Sequence, residues 1–216
     1  MAGEQTTSPS SEAPAKKRRT PLVRELVLAD LITLGNAAAG TGAILACTSY
    51  TTTGEPTWLN LVGALLVVAL VCDVLDGSVA RWRHRHSPYG ADLDSLSDLI
   101  SFGVAPAVLA FTLGARTPVD VVVLVFFVAC GVGRLARFNA TADDLMTDAG
   151  KVRYFEGTPI PSTLLLVVMM LALARADLVH ENLWAVPGPL GFHLPVIAYA
   201  LSGLAMISTR LRIPKP

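Results

Sequence analysis

The sequence predicts an all-α integral membrane protein: six transmembrane helices preceded by a short amphipathic helix lying at the interface. Three observations lead there. Of the 216 residues, 52% are hydrophobic and 16% charged, where soluble chains carry about a quarter charged. The apolar residues gather into six segments, each near the ~20 residues a bilayer core demands of a helix. Fifteen of the seventeen Lys and Arg residues fall on one side of the resulting topology, as the positive-inside rule requires. The 17 acidic residues cancel the 17 basic ones, so no bulk field draws the chain to nucleic acid.

Residues 1–20 hold no apolar run and are rich in Ser, Thr, Pro and Glu; such a segment cannot offset its ordering entropy and reads as a disordered cytoplasmic tail. The remainder, 21–216, reads as one membrane domain. From Pro21, Leu22, Val23, Leu26 and Val27 share a face against Arg24 and Glu25, the pattern of an interfacial helix. The spans follow at 31–52, 58–81, 96–114, 118–137, 159–177 and 190–208. Residues 179–189, with His180, Trp184 and two prolines, read as an interfacial loop. An even number of spans puts both termini in the cytoplasm, leaving only Arg116 and Arg175 outside. Cys47, Cys72 and Cys130 lie in apolar stretches and form neither a disulfide framework nor a metal pattern. Ala38, Gly40 and Gly42 on the first span allow close helix packing, including at a dimer contact. Met169 and Met170 read as core. His84 and His86 belong to a hydrated basic loop meeting anionic lipid.

Against this apolar background the segment 72–103 concentrates carboxylates where the second span ends and the third begins. Charges at membrane depth are costly and usually functional. Asp73 and Asp76 lie about 60° apart on one helix, and Asp94 and Asp98 about 40° apart on the next. A turn at Ser87-Pro88-Tyr89-Gly90 brings the pairs face to face. Four converging carboxylates repel one another unless cations neutralise them, and a hard divalent ion such as Mg²⁺ or Mn²⁺ suits oxygen donors. Asp92 reads as a solvated surface residue. Gly77 and Ala80 keep one face small, and Arg81 and Ser87 can donate to phosphate. Metal, arginine and carboxylate together at a membrane surface indicate phosphoryl chemistry on an anionic substrate.

The series Asp73-x2-Asp76-Gly77-x2-Ala80-Arg81-x8-Gly90-x3-Asp94-x3-Asp98 resembles, at every fixed position, the signature of the CDP-alcohol phosphotransferase family. The resemblance covers about residues 31–208. It implies a six-helix membrane enzyme, commonly a homodimer, that displaces CMP from a CDP-linked lipid by an alcohol with two divalent ions. Asp73 and Asp94 would bridge both ions, Asp76 would hold one and Asp98 would touch the other. Asp98 would also be the base that takes the proton of the attacking hydroxyl. Asp73, Gly77, Ala80, Arg81, Ser87 and Gly90 would line the CDP site, with Thr33 and Asn36 reaching it from the first span or bonding between helices. One departure is visible: Ala29-Asp30 stand where relatives commonly carry Pro-Asn.

Other segments bear on the acceptor. LITLGN (31–36), SFGVAPA (101–107), GVGRLARFN (131–139) and YFEGTPIPS (154–162) look like the phosphatidylserine synthase branch, which uses CDP-diacylglycerol and L-serine and gives phosphatidylserine and CMP. Arg134 and Arg137, one turn apart, could clamp the amino-acid carboxylate, or serve as positive-inside anchors. Asn139 and Glu156 could take the ammonium or hydroxyl. Rival readings are the same chemistry on glycerol 3-phosphate or an inositol phosphate, or on an archaeal ether lipid. A small cation transporter is a further rival, although no inverted repeat supports it.

Overall fold

The computed structural model describes residues 28–83, 90–145, 154–156, 158–180, 185–186, 191–208 and 212–214. The expected tail, the expected interfacial helix and the His84/His86 loop lie outside those residues.

The first element, α1 (Leu28–Thr53), runs past its apolar stretch into a Thr-rich end. Thr51 and Thr53 hydroxyls donate to the Thr48 and Ser49 carbonyls, so these β-branched residues satisfy themselves within the helix. Gly54 then takes φ +69°, with its N–H bonded to the Tyr50 carbonyl. That left-handed stop suits glycine, and Pro56 opens α2 (Pro56–Arg83) at a position where a missing N–H costs nothing. With only two residues between them, α1 and α2 pack as an antiparallel hairpin. α3 (Gly90–Asp98) continues through a widened π-helical turn (Leu99–Val104) into α4 (Ala105–Thr112), so one expected span is three consecutive helical pieces. α5 (Pro118–Leu145) follows.

A face of small and branched residues from each helix makes the core. Ala39, Ala43 and Cys47 of α1, spaced by four, meet Val62, Leu66 and Ala69 of α2. Phe127 of α5 packs edge-on against Tyr199, ring centroids 5.2 Å apart. The Tyr199 hydroxyl donates to the Pro106 carbonyl at 3.0 Å, so its burial leaves no orphaned polar atom. The opposite faces expose Val67, Val71, Val74, Val122, Val125, Leu165, Val168, Leu201 and Leu204. A soluble protein would bury these side chains; a bilayer solvates them.

Among the described residues, four helical stretches are long and apolar enough to cross a membrane: Asp30–Thr53, Pro56–Ser78, Gly90–Thr112 and Pro118–Ala140. The fifth and sixth expected spans correspond to shorter helices, Ile160–Arg175 and Pro195–Ile207. At 1.5 Å per residue these reach about 24 and 20 Å, short of the ~30 Å hydrocarbon core. Prolines set both starts. Pro159 and Pro161 confine Ile160–Thr163 to a 3₁₀ turn before α6 (Leu164–Arg175), and Pro195 opens α7 (Pro195–Ile207).

The structure also carries short strands that an all-α expectation lacks. β1 (Tyr154–Glu156) pairs antiparallel with β4 (Arg212–Pro214), and β2 (Ala185–Val186) with β3 (Phe192–His193). The segment expected as an interfacial loop therefore contributes a strand to a small ribbon. Runs of two or three residues are too short to show a period in sequence.

Candidate active site

Three helices bring their polar ends together at one end of the bundle. α2 contributes Asp73 and Asp76, and α3 contributes Asp94 and Asp98. α1 turns Thr33 and Asn36 toward them. One carboxylate oxygen from each of Asp73, Asp76 and Asp94 falls within a patch in which all lie within 4.8 Å of one another. Asp76 is 5% exposed and Asp98 8%, while Asp73 and Asp94 are half-buried. Asp98 stands outside that trio. Its side chain contacts Asp73, and its Oδ1 accepts from Asn36 Nδ2 at 3.1 Å. Thr33 Oγ1 donates to Asp76 Oδ2 at 2.7 Å. The expected face-to-face pairing is present, and Asp92 is exposed.

The donor set fits a hard divalent cation. All the converging groups are carboxylate oxygens, and among the described residues no Lys or Arg forms an ion pair with them. Converging carboxylates repel one another, and a small dication surrounded by oxygens relieves that repulsion.

The remaining candidates are distributed around this centre. A Cβ built at Gly77 meets nothing within 4 Å, so the backbone beside Asp76 borders open space. Gly90 begins α3 and is half-buried. The helix runs through Ala80 and Arg81, but their side chains, and Ser87 entirely, lie outside the described residues. On α5, Arg134 has a buried Nε with no hydrogen-bond partner and feels the charge of Asp98. Arg137 instead donates from Nη2 to the Ile207 carbonyl at 3.1 Å, at the last residue of α7. Asn139 Oδ1 accepts from Ser95 Oγ at 3.0 Å, which ties α5 to the residue after Asp94. The backbone of Glu156 sits in β1 opposite Arg212; its side chain is outside the described set. Asp30 is buried, 3% exposed, at the start of α1.

Three features escaped the sequence reading. The π-helical turn begins immediately after Asp98, a place where such widened turns frequently serve function. Ser95 meets Asn139 as above. Ser101 Oγ donates to the Asn36 carbonyl at 3.0 Å. The one available signal for Ser101 was its size, a small residue matched by Gly40 on the facing helix.

A model of the family described as CDP-alcohol phosphatidyltransferase matches residues 26–207. The chain belongs to this family. Within the CDP-alcohol phosphatidyltransferases it is 43% identical over 201 residues to the CDP-diacylglycerol–serine O-phosphatidyltransferase of Saccharomyces cerevisiae, across 90% of this chain and 73% of that one. The enzyme of the same name from Mycobacterium leprae is 43% identical over 111 residues, 51% of this chain and 37% of the relative. An archaetidylserine synthase from Methanothermobacter thermautotrophicus is 38% identical over 140 residues, 63% of this chain and 54% of the relative. The chain thus spans most of the yeast protein, but about half or less of the other two. These relatives share serine in their names and differ in the lipid named.

Proposed function

We propose that this protein transfers a phosphatidyl group from CDP-diacylglycerol to L-serine, releasing phosphatidylserine and CMP. The observation that carries this reading is the convergence of Asp73, Asp76 and Asp94 within 4.8 Å, with Asp98 beside them, in a chain whose relatives are serine phosphatidyltransferases. The serine hydroxyl oxygen attacks the phosphorus that bears the diacylglycerol. The bond from that phosphorus to the oxygen bridging the two phosphates breaks, and CMP leaves with the electron pair. Two divalent ions, Mg²⁺ or Mn²⁺, held by Asp73, Asp76 and Asp94 with Asp98 at their edge, would withdraw charge from the diphosphate.

The other steps belong to side chains. Asp98 accepts the hydroxyl proton, the task of a general base within reach of the nucleophile. Gly77 leaves room for the nucleotide beside the backbone, with Thr33, Asp73, Ala80, Arg81, Ser87 and Gly90 completing the CDP site. Arg134 receives the serine carboxylate: a buried guanidinium Nε without a partner is costly to leave so, and a carboxylate satisfies it with a charge-assisted bond. Arg137, one turn along α5, adds positive charge beside it, while Asn139 and Glu156 take the ammonium or hydroxyl.

The site faces the cytoplasm in this reading, as the fifteen-to-two partition of basic residues supports. α6 and α7 complete six crossings with help from flanking segments. Residues 1–20 form a tail, an amphipathic helix follows from Pro21, and residues 21–216 form one membrane domain in a homodimer, as the family resemblance implies.

The experiment is product analysis. Purified protein with Mn²⁺ or Mg²⁺ receives CDP-diacylglycerol and, in separate reactions, labelled serine, glycerol 3-phosphate or an inositol phosphate. Parallel reactions supply a CDP-linked ether lipid. Labelled phosphatidylserine with stoichiometric, metal-dependent CMP is the expected result. Product from another alcohol but not from serine overturns the acceptor, and no CMP with any acceptor overturns the enzyme.

A further inference from the structure

Asn36 is fully buried, and its amide nitrogen is committed to Asp98. We infer that Asn36 is a positioning residue, holding the Asp98 carboxylate in the one orientation from which it can take the serine proton. This rests on the proposed role of Asp98 as base.

The support begins with the backbone. Ser101 Oγ donates to the Asn36 carbonyl at 3.0 Å, so α1 is bonded to the π-helical turn three residues beyond Asp98. That contact needs Gly40. A Cβ there would collide with Ser101 Oγ and lie 2.8 Å from Ser101 Cα, an approach no side chain tolerates. The missing side chain at 40 lets the two helices close until Asn36 and Asp98 are in register. The bond from Nδ2 to Oδ1 then fixes rotation of the carboxylate about its terminal torsion, which is otherwise broad. Its second oxygen consequently points one way. A misaimed base loses rate while binding survives, because orientation contributes to the transition state more than to substrate affinity.

The test uses the purified full-length protein with CDP-diacylglycerol, serine and saturating Mn²⁺. Asn36→Ala should lower kcat about ten- to a hundredfold, the size expected for losing one hydrogen bond to a charged group. KM for both substrates should stay within about twofold. Asn36→Asp keeps the shape but lacks the N–H; it should fall at least as far, and it carries the test should Asn36→Ala not accumulate. Unchanged kcat per folded molecule, or a raised KM for CDP-diacylglycerol with kcat intact, overturns the inference; the latter would put Asn36 on the nucleotide. Asp98→Asn, run alongside, separates the two readings. Wild-type turnover in that variant overturns the base and this inference together. An inactive Asp98→Asn beside an unimpaired Asn36→Ala overturns this inference alone.

Discussion

Buried carboxylates occur near both ends of α5, and the protein treats them in opposite ways. At its start, Asp120 is fully buried and both oxygens are taken. Oδ1 accepts from the His193 backbone N–H at 3.0 Å. Oδ2 accepts from the Thr117 N–H at 2.9 Å and is 2.6 Å from His193 Nδ1. The Asp120 N–H returns a bond to Thr117 Oγ1, the reciprocal pattern of a helix-start box. About 28 Å along the same helix, Asn139 adjoins the aspartates of α2 and α3. There, four carboxylates converge, yet Asp76 takes one hydroxyl and Asp98 one amide. Among the described residues Asp94 has no hydrogen-bond donor. A carboxylate saturated by the protein's own N–H groups is a structural clasp. A cluster with open lone pairs suits positive charge from outside the chain, as a metal-dependent enzyme requires.

Neutralising one member of the open cluster is the most severe way to break this contrast. Asp94→Asn should reduce turnover by on the order of a thousandfold or more, since the several kcal/mol of charge stabilisation a divalent ion supplies is lost. Chelation of wild-type protein should do the same, reversibly on adding Mn²⁺. The stability readout has a distinctive sign. Without metal the variant should melt no lower than wild type, because repulsion is relieved. With metal, wild type alone should gain, by ligand linkage. A metal-independent drop in Tm for Asp94→Asn would instead assign the cluster a structural role like that of Asp120.

Between these extremes sit the two arginines of α5, where a comparison of substrate constants sharpens the picture. Arg134→Ala should raise KM for serine about ten- to a hundredfold, the loss of a charge-assisted bond, with KM for CDP-diacylglycerol little changed. Arg137→Ala should do less to serine binding and more to stability, about 1 kcal/mol, because its Nη2 caps the end of α7 at Ile207. Equal effects of Arg134→Ala on both substrates would assign it to the lipid phosphate instead.

How far the sequence could lead differs between these same features. The aspartate cluster was legible because helical spacing alone places 73 with 76 and 94 with 98, and a charge in an apolar segment stands out against its neighbours. Arg134 and Arg137 were indistinguishable, since positions one turn apart carry the same pattern; only the carbonyl of Ile207, seventy residues away, separates them. Asn36 was visible as a polar residue in a span but not its partner, because the register of α1 on α3 depends on Gly40 meeting Ser101 across the fold. At 159–177 and 190–208 the helices are shorter than the apolar runs for a local reason: Pro161 and Pro195 delay the start of the α-helix. The clasp at Asp120 was hidden because Thr117 and Asp120 look like an ordinary helix start, and His193 lay within an apolar run.

The smallest kinetic effect is expected at that clasp, and for that reason it is the cleanest control. Asp120→Asn replaces one acceptor oxygen with an N–H group facing existing donors, and His193→Ala removes the imidazole partner. Each should cost about 1–3 kcal/mol of stability, read as a lower Tm. kcat and both KM values should remain within about twofold, because the change lies a membrane's thickness from the acidic cluster along α5. Both substitutions loosen the same contact, so the double variant should lose less than the sum of the two. A large fall in kcat without a fall in Tm would mean that the clasp communicates with the aspartates through α5, and the division between a protein-satisfied and a cation-satisfied carboxylate site would no longer hold.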